Sequence, residues 1–94
     1  MSTPKTIILN GDLVNINTNK FYINGQIAIT GTEDGMPYAT FTTCIDCTLS
    51  PEETILDTNN IPTALKLLSD AGIVEDTGRT VDSGFCTYPI VKVL

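Results

Sequence analysis

The sequence predicts a single α+β domain over residues 1–94, a mainly antiparallel sheet built as a meander of hairpins with one helix on one face. Three observations point there. The first half reads as short β-rich runs separated by Asn-Gly pairs and glycine-framed polar stretches. Only Asn60 to Ala71 has helical periodicity. After a sharp stop and a Thr-Gly-Arg turn, the chain closes on a β-rich run from Phe85 to Leu94.

Each element has its own warrant. Lys5 to Leu9 and Asp12 to Asn17 flank Asn10-Gly11, the residue pair that a two-residue type I′ hairpin prefers. Such a loop pairs Leu9 with Asp12 and Ile7 with Val14. It sets Ile7, Leu9, Val14 and Ile16 on one face, with Thr6 and Asn15 on the other. A second pair, Asn24-Gly25, separates Lys20–Ile23 from Gln26–Thr30. There a tight turn would oppose Ile23 to Gln26 and scatter apolar residues over both faces, so either both faces are buried or the loop is longer.

A polar loop from Gly31 to Gly35 leads to a strand from Pro37 to Ile45, with Pro37 at its start, where a missing N–H matters least. Ser50-Pro51-Glu52-Glu53 could open a helical turn, but Thr54 to Asp57 reads as a short strand. In the helix, Asn60 is the expected N-cap, with Pro62 in the first turn. Ile61, Ala64, Leu65, Leu68 and Ala71 form the apolar stripe, and Gly72 ends it with Ile73 packing back on Leu68. Ile73-Val74 and Phe85–Leu94 complete the strands, with Gly78 and Gly84 bracketing their connection. Pro89 implies an edge strand or a bulge. The expected core contains Ile7, Val14, Ile29, Phe41, Leu65, Leu68 and Val91.

Composition narrows the function classes. Acidic residues number 11 against 5 basic ones, for a formal charge of −6, which disfavours direct contact with nucleic-acid phosphates and anionic membranes. The balance suits a soluble surface, a basic protein partner or imitation of nucleic-acid charge. No apolar run approaches the ~18 residues of a membrane span, and Lys5–Leu9 is too short for the apolar part of a signal peptide. Three cysteines, an odd number, fit reduced thiols in a cytoplasm.

Chemistry has few places to sit. With no His and no phosphate-binding glycine loop, and with carboxylates that no spacing pairs, the expectation is a non-enzyme without catalytic residues or cofactor. Cys44-Ile-Asp-Cys47 has the spacing of zinc knuckles and redox dithiols. A structural zinc site needs four ligands, so Cys44, Cys47 and Cys86 would need Asp46 or a second subunit to complete it. A redox pair needs a helix N-terminus, whereas Cys44 ends a strand. Free thiols without metal are the simpler reading. Glu75, Asp76, Arg79 and Asp82 form the densest charge cluster, more simply a surface ion-pair network than a pocket. Arg79 is the single Arg, and in a glycine-framed turn its planar fork could instead grip an anion. Tyr22, Tyr38 and Tyr88 are half-buried strand residues or a recognition surface, and Glu33 and Asp34 are loop-tip charges.

The run Glu75-Asp-Thr-Gly-Arg-Thr-Val-Asp-Ser-Gly-Phe85, the Pro89-Ile-Val ending and Asp34-Gly-Met-Pro-Tyr-Ala-Thr40 together resemble a family of short uncharacterised proteins of bacterial phages and mobile elements. The resemblance covers roughly Gly31 to Leu94; the first hairpin lies outside it, and the Cys44 and Cys47 pair departs from its pattern. It implies a genomic setting and flags Thr77, Gly78, Arg79, Gly84 and Phe85 as candidate ligand- or partner-binding residues, without an activity to transfer. The expected function is a non-enzymatic cytoplasmic binding protein that engages or inhibits a host defence or nucleic-acid-handling protein, with no direct nucleic-acid or membrane contact. Two alternatives stand beside it: a small virion or assembly protein pairing or oligomerising through a strand edge, and a sponge for a small anionic ligand or signalling nucleotide held by Arg79.

Overall fold

The computed structural model of the protein describes residues 5–45 and 49–94, and its architecture is α+β. In chain order the elements are β1 (Lys5–Leu9), β2 (Asp12–Phe21), β3 (Ile27–Glu33), β4 (Met36–Thr40), β5 (Glu53–Ile55), α1 (Ala64–Asp70), β6 (Val74–Ser83) and β7 (Cys86–Val93). The strands form two antiparallel sheets, ordered β1-β2-β3-β4 and β5-β7-β6. No helix among the described residues is long and apolar enough to cross a membrane.

The first hairpin has the expected register, Leu9 opposite Asp12 and Ile7 opposite Val14. Asn10 and Gly11 both take positive φ, and Ile7, Leu9 and Val14 are buried while Thr6 and Asn15 are exposed. The second connection is not a tight hairpin. Gly25 N–H donates to the Tyr22 carbonyl at 2.9 Å and Tyr22 N–H to the Gln26 carbonyl at 2.7 Å, which makes Ile23, Asn24 and Gly25 a three-residue loop. This restores alternation by leaving Ile23 outside at the tip. β2 itself runs unbroken to Phe21, absorbing one extra residue in a bulge between Asn17 and Lys20.

The Gly31–Gly35 stretch is not a loop. β3 continues through Glu33, and Asp34-Gly35, both at positive φ, make the turn. Gly31 is there for packing: a Cβ at this position would lie 2.5 Å from Val14 Cγ1 and 2.8 Å from Phe41 Cε2. Nor does β4 run on to Ile45. At Phe41 the chain changes partners, its N–H bonding the Ile29 carbonyl at 2.8 Å and its carbonyl accepting from Asp57 N–H at 2.8 Å. Thr43 N–H then reaches the Ile55 carbonyl at 3.1 Å, and Thr42 bridges Leu56, so residues 41–43 stitch the first sheet to the second. Across the opposite side, α1 contacts both β1 and β6, the free edges of the two sheets.

The helix is shorter than its sequence pattern. It begins at Ala64, with Thr63 rather than Asn60 at the N-cap. Asn60 instead donates its side-chain amide to Asp57 Oδ2 at 2.7 Å, and its backbone N–H reaches Asp57 Oδ1 at 3.3 Å. Pro62 disfavours helical geometry at Ile61, so residues before it form turns. The C-terminus ends as expected: Gly72 at φ +74° lets Ile73 N–H bond the Leu68 carbonyl and Gly72 N–H the Ser69 carbonyl, both at 3.0 Å, and Leu68 and Ile73 are fully buried. Of the expected core, Ile7, Val14, Ile29, Phe41, Leu68 and Val91 are buried, while Leu65 is partly buried against it. Ser50 to Glu53 form a turn rather than a helix, Glu53 N–H donating to the Ser50 carbonyl at 2.9 Å.

β6 and β7 differ from expectation as well. β6 spans Val74–Ser83, so Gly84-Phe85 alone is the connection. Pro89 sits in the central strand of its sheet, not at an edge. It accepts from Leu56 N–H at 3.2 Å but has no N–H to return, and the β5–β7 ladder ends one residue earlier at Ile55–Ile90. On its other side Pro89 pairs with Thr80 at the end of a bulge in β6.

Replacing Gly31 with Ala forces Val14 or Phe41 out of place, and overpacking of this kind costs about 1–3 kcal/mol. Urea unfolding of Gly31→Ala should show that loss, whereas Gly11→Ala, whose Cβ would meet nothing within 4 Å, pays only for its turn geometry.

Candidate functional site

The segment Thr77-Gly78-Arg79 is a bulge inside β6 rather than a turn between elements. Asp76 pairs with Val91 and Thr80 with Pro89, so β6 spends four steps where β7 spends two. Local side chains hold the extra residues. Asp76 Oδ1 accepts from Gly78 N–H at 2.9 Å, Thr77 Oγ1 accepts from Arg79 N–H at 3.1 Å and donates to the Ile90 carbonyl at 2.7 Å, and Gly78 takes φ +80°. The bulge re-aims Arg79. Its guanidinium donates to Glu53 Oε2 on β5, so the side chain crosses β7 to the far strand of the sheet, about 10 Å or two inter-strand spacings away.

Glu53 is the residue that sequence reasoning missed. It lies 26 positions from Arg79, and only the registers of β5 and β6 on β7 bring the two together. Glu53 Oε1 accepts from Ser50 N–H at 2.9 Å, so the carboxylate ties the Ser50–Glu53 turn to the bulge. The side chain of Glu53 is 9% exposed and that of Arg79 53%, which places the pair between a surface and a buried ion pair. The acidic residues expected around Arg79 do other work. Asp76 holds the bulge, Asp82 Oδ1 accepts from Thr87 Oγ1 at 2.7 Å, and Glu75 sits opposite Lys92.

The five flagged residues do not form one cluster. Thr77, Gly78 and Arg79 sit in the bulge, whereas Gly84 and Phe85 form the tip of the β6–β7 hairpin beyond Ser83 and Cys86. Gly84 at φ +62° followed by a residue of negative φ fits a type II′ turn, which accepts any side chain at its second position. That position holds Phe85, entirely exposed. The three tyrosines also diverge. Tyr22 hydroxyl hydrogen-bonds Thr42 at the sheet junction, Tyr38 donates to Asp12 Oδ2 at 3.0 Å, and Tyr88 lies on β7 two residues after Cys86. The hydrogen bond to Asp12, with burial next, raises the Tyr38 phenol above its usual 10.0; the neighbouring Cys86 thiol, with burial next, raises Tyr88. Cys44 is exposed and Cys86 half-buried, both free, while Asp46 and Cys47 of the expected pair lie outside the described residues. Among the described residues no three Cys, Asp or Glu side chains converge as a metal site would require.

A cavity of about 310 Å³ opens between the β2–β3 tip and the Ser50–Glu53 turn, lined by Asn24, Gly25, Gln26, Leu49, Pro51 and Glu53 among others. Its base is the sheet junction. Gln26 is buried, and its Nε2 donates to the Thr43 carbonyl at 2.6 Å and to Thr54 Oγ1 at 3.3 Å.

Arg79→Ala strands a mostly buried carboxylate, and about 1–3 kcal/mol of stability should be lost, more than an exposed pair and less than a buried one. Arg79→Lys should recover part of it, since the charge remains and the fork is lost; equilibrium unfolding of the two variants measures both. Tyr38 supplies a pH test. Its phenol is raised on folding, so its stabilisation is complete below the unfolded value near 10 and is lost as pH rises through the folded value. The alkaline fall in melting temperature should therefore be shallower in Tyr38→Phe than in the wild type.

Comparison with protein-family models, with curated proteins and with solved structures finds no match to this chain.

Proposed function

We propose that the protein is a non-enzymatic binding protein of a phage or mobile element that engages a host protein, a defence or nucleic-acid-handling enzyme. The observation that carries this reading is the projection of large apolar side chains from turns that do not need them. Phe85 at 110% and Ile23 at 106% relative exposure stand free at the tips of two hairpins. Isolated exposed apolar residues are ordinary on a surface. Here the turn geometry at each tip would be served equally by a polar residue, and aromatic or aliphatic side chains presented on a rigid hairpin are the usual anchors of protein contacts.

Charge supports the same reading. A net −6 steers a basic protein surface toward the chain and repels nucleic-acid backbone. The carboxylates support binding over catalysis, because Asp12, Glu53, Asp57, Asp70, Asp76 and Asp82 each accept a structural hydrogen bond. Arg79, the cation that an anion sponge would use, is engaged by Glu53. The phage or mobile-element setting rests on the sequence resemblance alone.

Capture from bacterial host lysate on the immobilised protein tests the proposal, with Phe85→Ser and Ile23→Ser as paired controls. A specific host protein should be retained by the wild type and lost, at least about tenfold, on one of the two substitutions. Neither substitution should change the melting temperature. Retention of nothing, or retention indifferent to both, would overturn the reading.

A further inference from the structure

The second half of β6 is an open sheet edge. On β7, Pro89 accepts from Leu56 N–H at 3.2 Å and Val93 donates to the Glu52 carbonyl at 2.7 Å, both on the β5 side. Leu94 N–H turns the other way, to the Ile73 carbonyl at 3.0 Å. Hydrogen-bonding direction alternates along a strand, so Pro89 and Thr87 direct nothing toward β6. Their partners there are Thr80 and Asp82. The backbone N–H and C=O groups of these two residues therefore point away from β7, where the order β5-β7-β6 has no further strand. Thr80, Asp82 and Ser83 are exposed and Val81 is half-buried. The other edges are covered or broken: residues 41–43 lie along β5, α1 lies against β1, and Pro37, with no N–H, interrupts β4. α1 also leads into β6, but only at Val74. A seven-residue helix is about 10 Å long, and Ser83 lies about 23 Å of strand from Val74.

Symmetry selects what this edge accepts. Thr80 and Asp82 lie on either side of Val81, so a second copy running antiparallel satisfies both residues at once. Thr80 then faces Asp82 of the second copy, Asp82 faces its Thr80, and Val81 faces Val81. The two Thr80–Asp82 pairs each exchange both backbone hydrogen bonds. No like charges stand directly opposite, and a β-branched residue meets its own kind. Continuing the same count sets Arg79 against Ser83 and Gly78 against Gly84. The fully exposed Phe85 of each tip then runs beside the bulge of the other copy. Bulge and tip, which stand apart within one chain, meet between two.

We infer that the Thr80–Ser83 edge of β6 is a dimerisation surface whose occupant is a second copy of this chain, paired antiparallel about Val81. The two three-stranded sheets become one continuous sheet, with each Phe85 beside the Thr77–Arg79 bulge of the other copy. This goes beyond binding of a host protein and leaves that function an anchor, because Ile23 stands on the tip between β2 and β3 in the other sheet. Charge opposes the association at one point. The two Asp82 carboxylates lie on a diagonal of about 7–8 Å. Thr87 Oγ1 holds each toward β7, and salt screens what repulsion remains.

Sedimentation equilibrium of the full chain should show a reversible monomer–dimer equilibrium that tightens with added salt. It should tighten also in Asp82→Asn, which removes the diagonal charges and keeps an acceptor for Thr87. Val81→Lys sets two ammonium groups face to face, and Thr80→Pro removes an edge N–H that β7 does not use. Each should be monomeric at concentrations where the wild type is a dimer, with melting curves showing that it is folded. Cross-linking reads the register separately. Residues opposed at a non-hydrogen-bonded position lie within disulfide reach. Val81→Cys should therefore oxidise with glutathione disulfide to a covalent dimer faster than Thr80→Cys, or than the wild type with its own cysteines. This arm stays decisive if both blocking variants unfold. A chain monomeric throughout, a dimer indifferent to Val81→Lys and Thr80→Pro, or Val81→Cys linking no faster than Thr80→Cys would overturn the inference. A monomer that still retains a host protein would remove the dimer and leave the proposed function standing.

Discussion

The change of partners at Phe41 is the event on which the rest of the structure depends. One residue gives its N–H to β3 and its carbonyl to the segment after β5, so a single backbone position belongs to both sheets. A switch of this kind normally leaves backbone groups unpaired, and buried unpaired groups are costly. Side chains fill the gap. Ile29 N–H, which a continuing β4 carbonyl would have accepted, bonds Thr42 Oγ1 at 3.1 Å, and Thr54 Oγ1 takes the Ile27 carbonyl at 2.5 Å. Tyr22 reaches in to Thr42, and Gln26 spans Thr43 and Thr54. Thr42, Thr54 and Gln26 are all buried, which is why a core of this size contains polar residues at all.

The polar seam also explains where the cavity lies. Thr42 and Thr54 have their hydroxyls satisfied, but Gln26 brings two kinds of group and the junction uses only its nitrogen. The remaining oxygen faces the consequences of a structural choice. Glu53 starts β5 and closes the turn from Ser50, so the two residues of the junction that line the cavity owe their places to the same joining of sheets.

The second sheet is organised by a different device. The bulge in β6 lengthens one strand against β7, and its internal hydrogen bonds through Asp76 and Thr77 make it a rigid bracket. Arg79 uses that bracket to span the sheet and fasten the Ser50–Glu53 turn. Pro89 beside it ends the ladder to β5 at Ile55–Ile90, Leu56 N–H still donates to the Pro89 carbonyl, and the flanking Ile55 carbonyl and Asp57 N–H bridge to residues 41–43. Bulge, proline and partner switch thus act at one level of the structure, and together they release the chain from one sheet to the other.

The sequence by itself determined the local elements whose causes lie within a few residues. Asn10-Gly11 set the first hairpin and its register, Gly72 set the end of the helix, and alternation or helical spacing marked Ile7, Val14, Phe41 and Leu68 for burial. Asp34-Gly35 carried an equally good hairpin signal, obscured because Gly31 looked like a loop glycine when its role is to let Phe41 approach. Asn60 shows the limit of local reading: a competent cap was drawn instead to Asp57, and the helix starts at Ala64 after Thr63. For the candidate site, Thr77, Gly78, Arg79, Gly84 and Phe85 were legible as unusual, but neither their separation into bulge and tip nor the partner of Arg79 was. Only the tertiary structure decided those matters, and the placement of Gln26 and Glu53 on one wall. The bulge and the tip follow from the β6–β7 register, and the other two join segments more than twenty residues apart, where no periodicity or turn rule links one partner to the other.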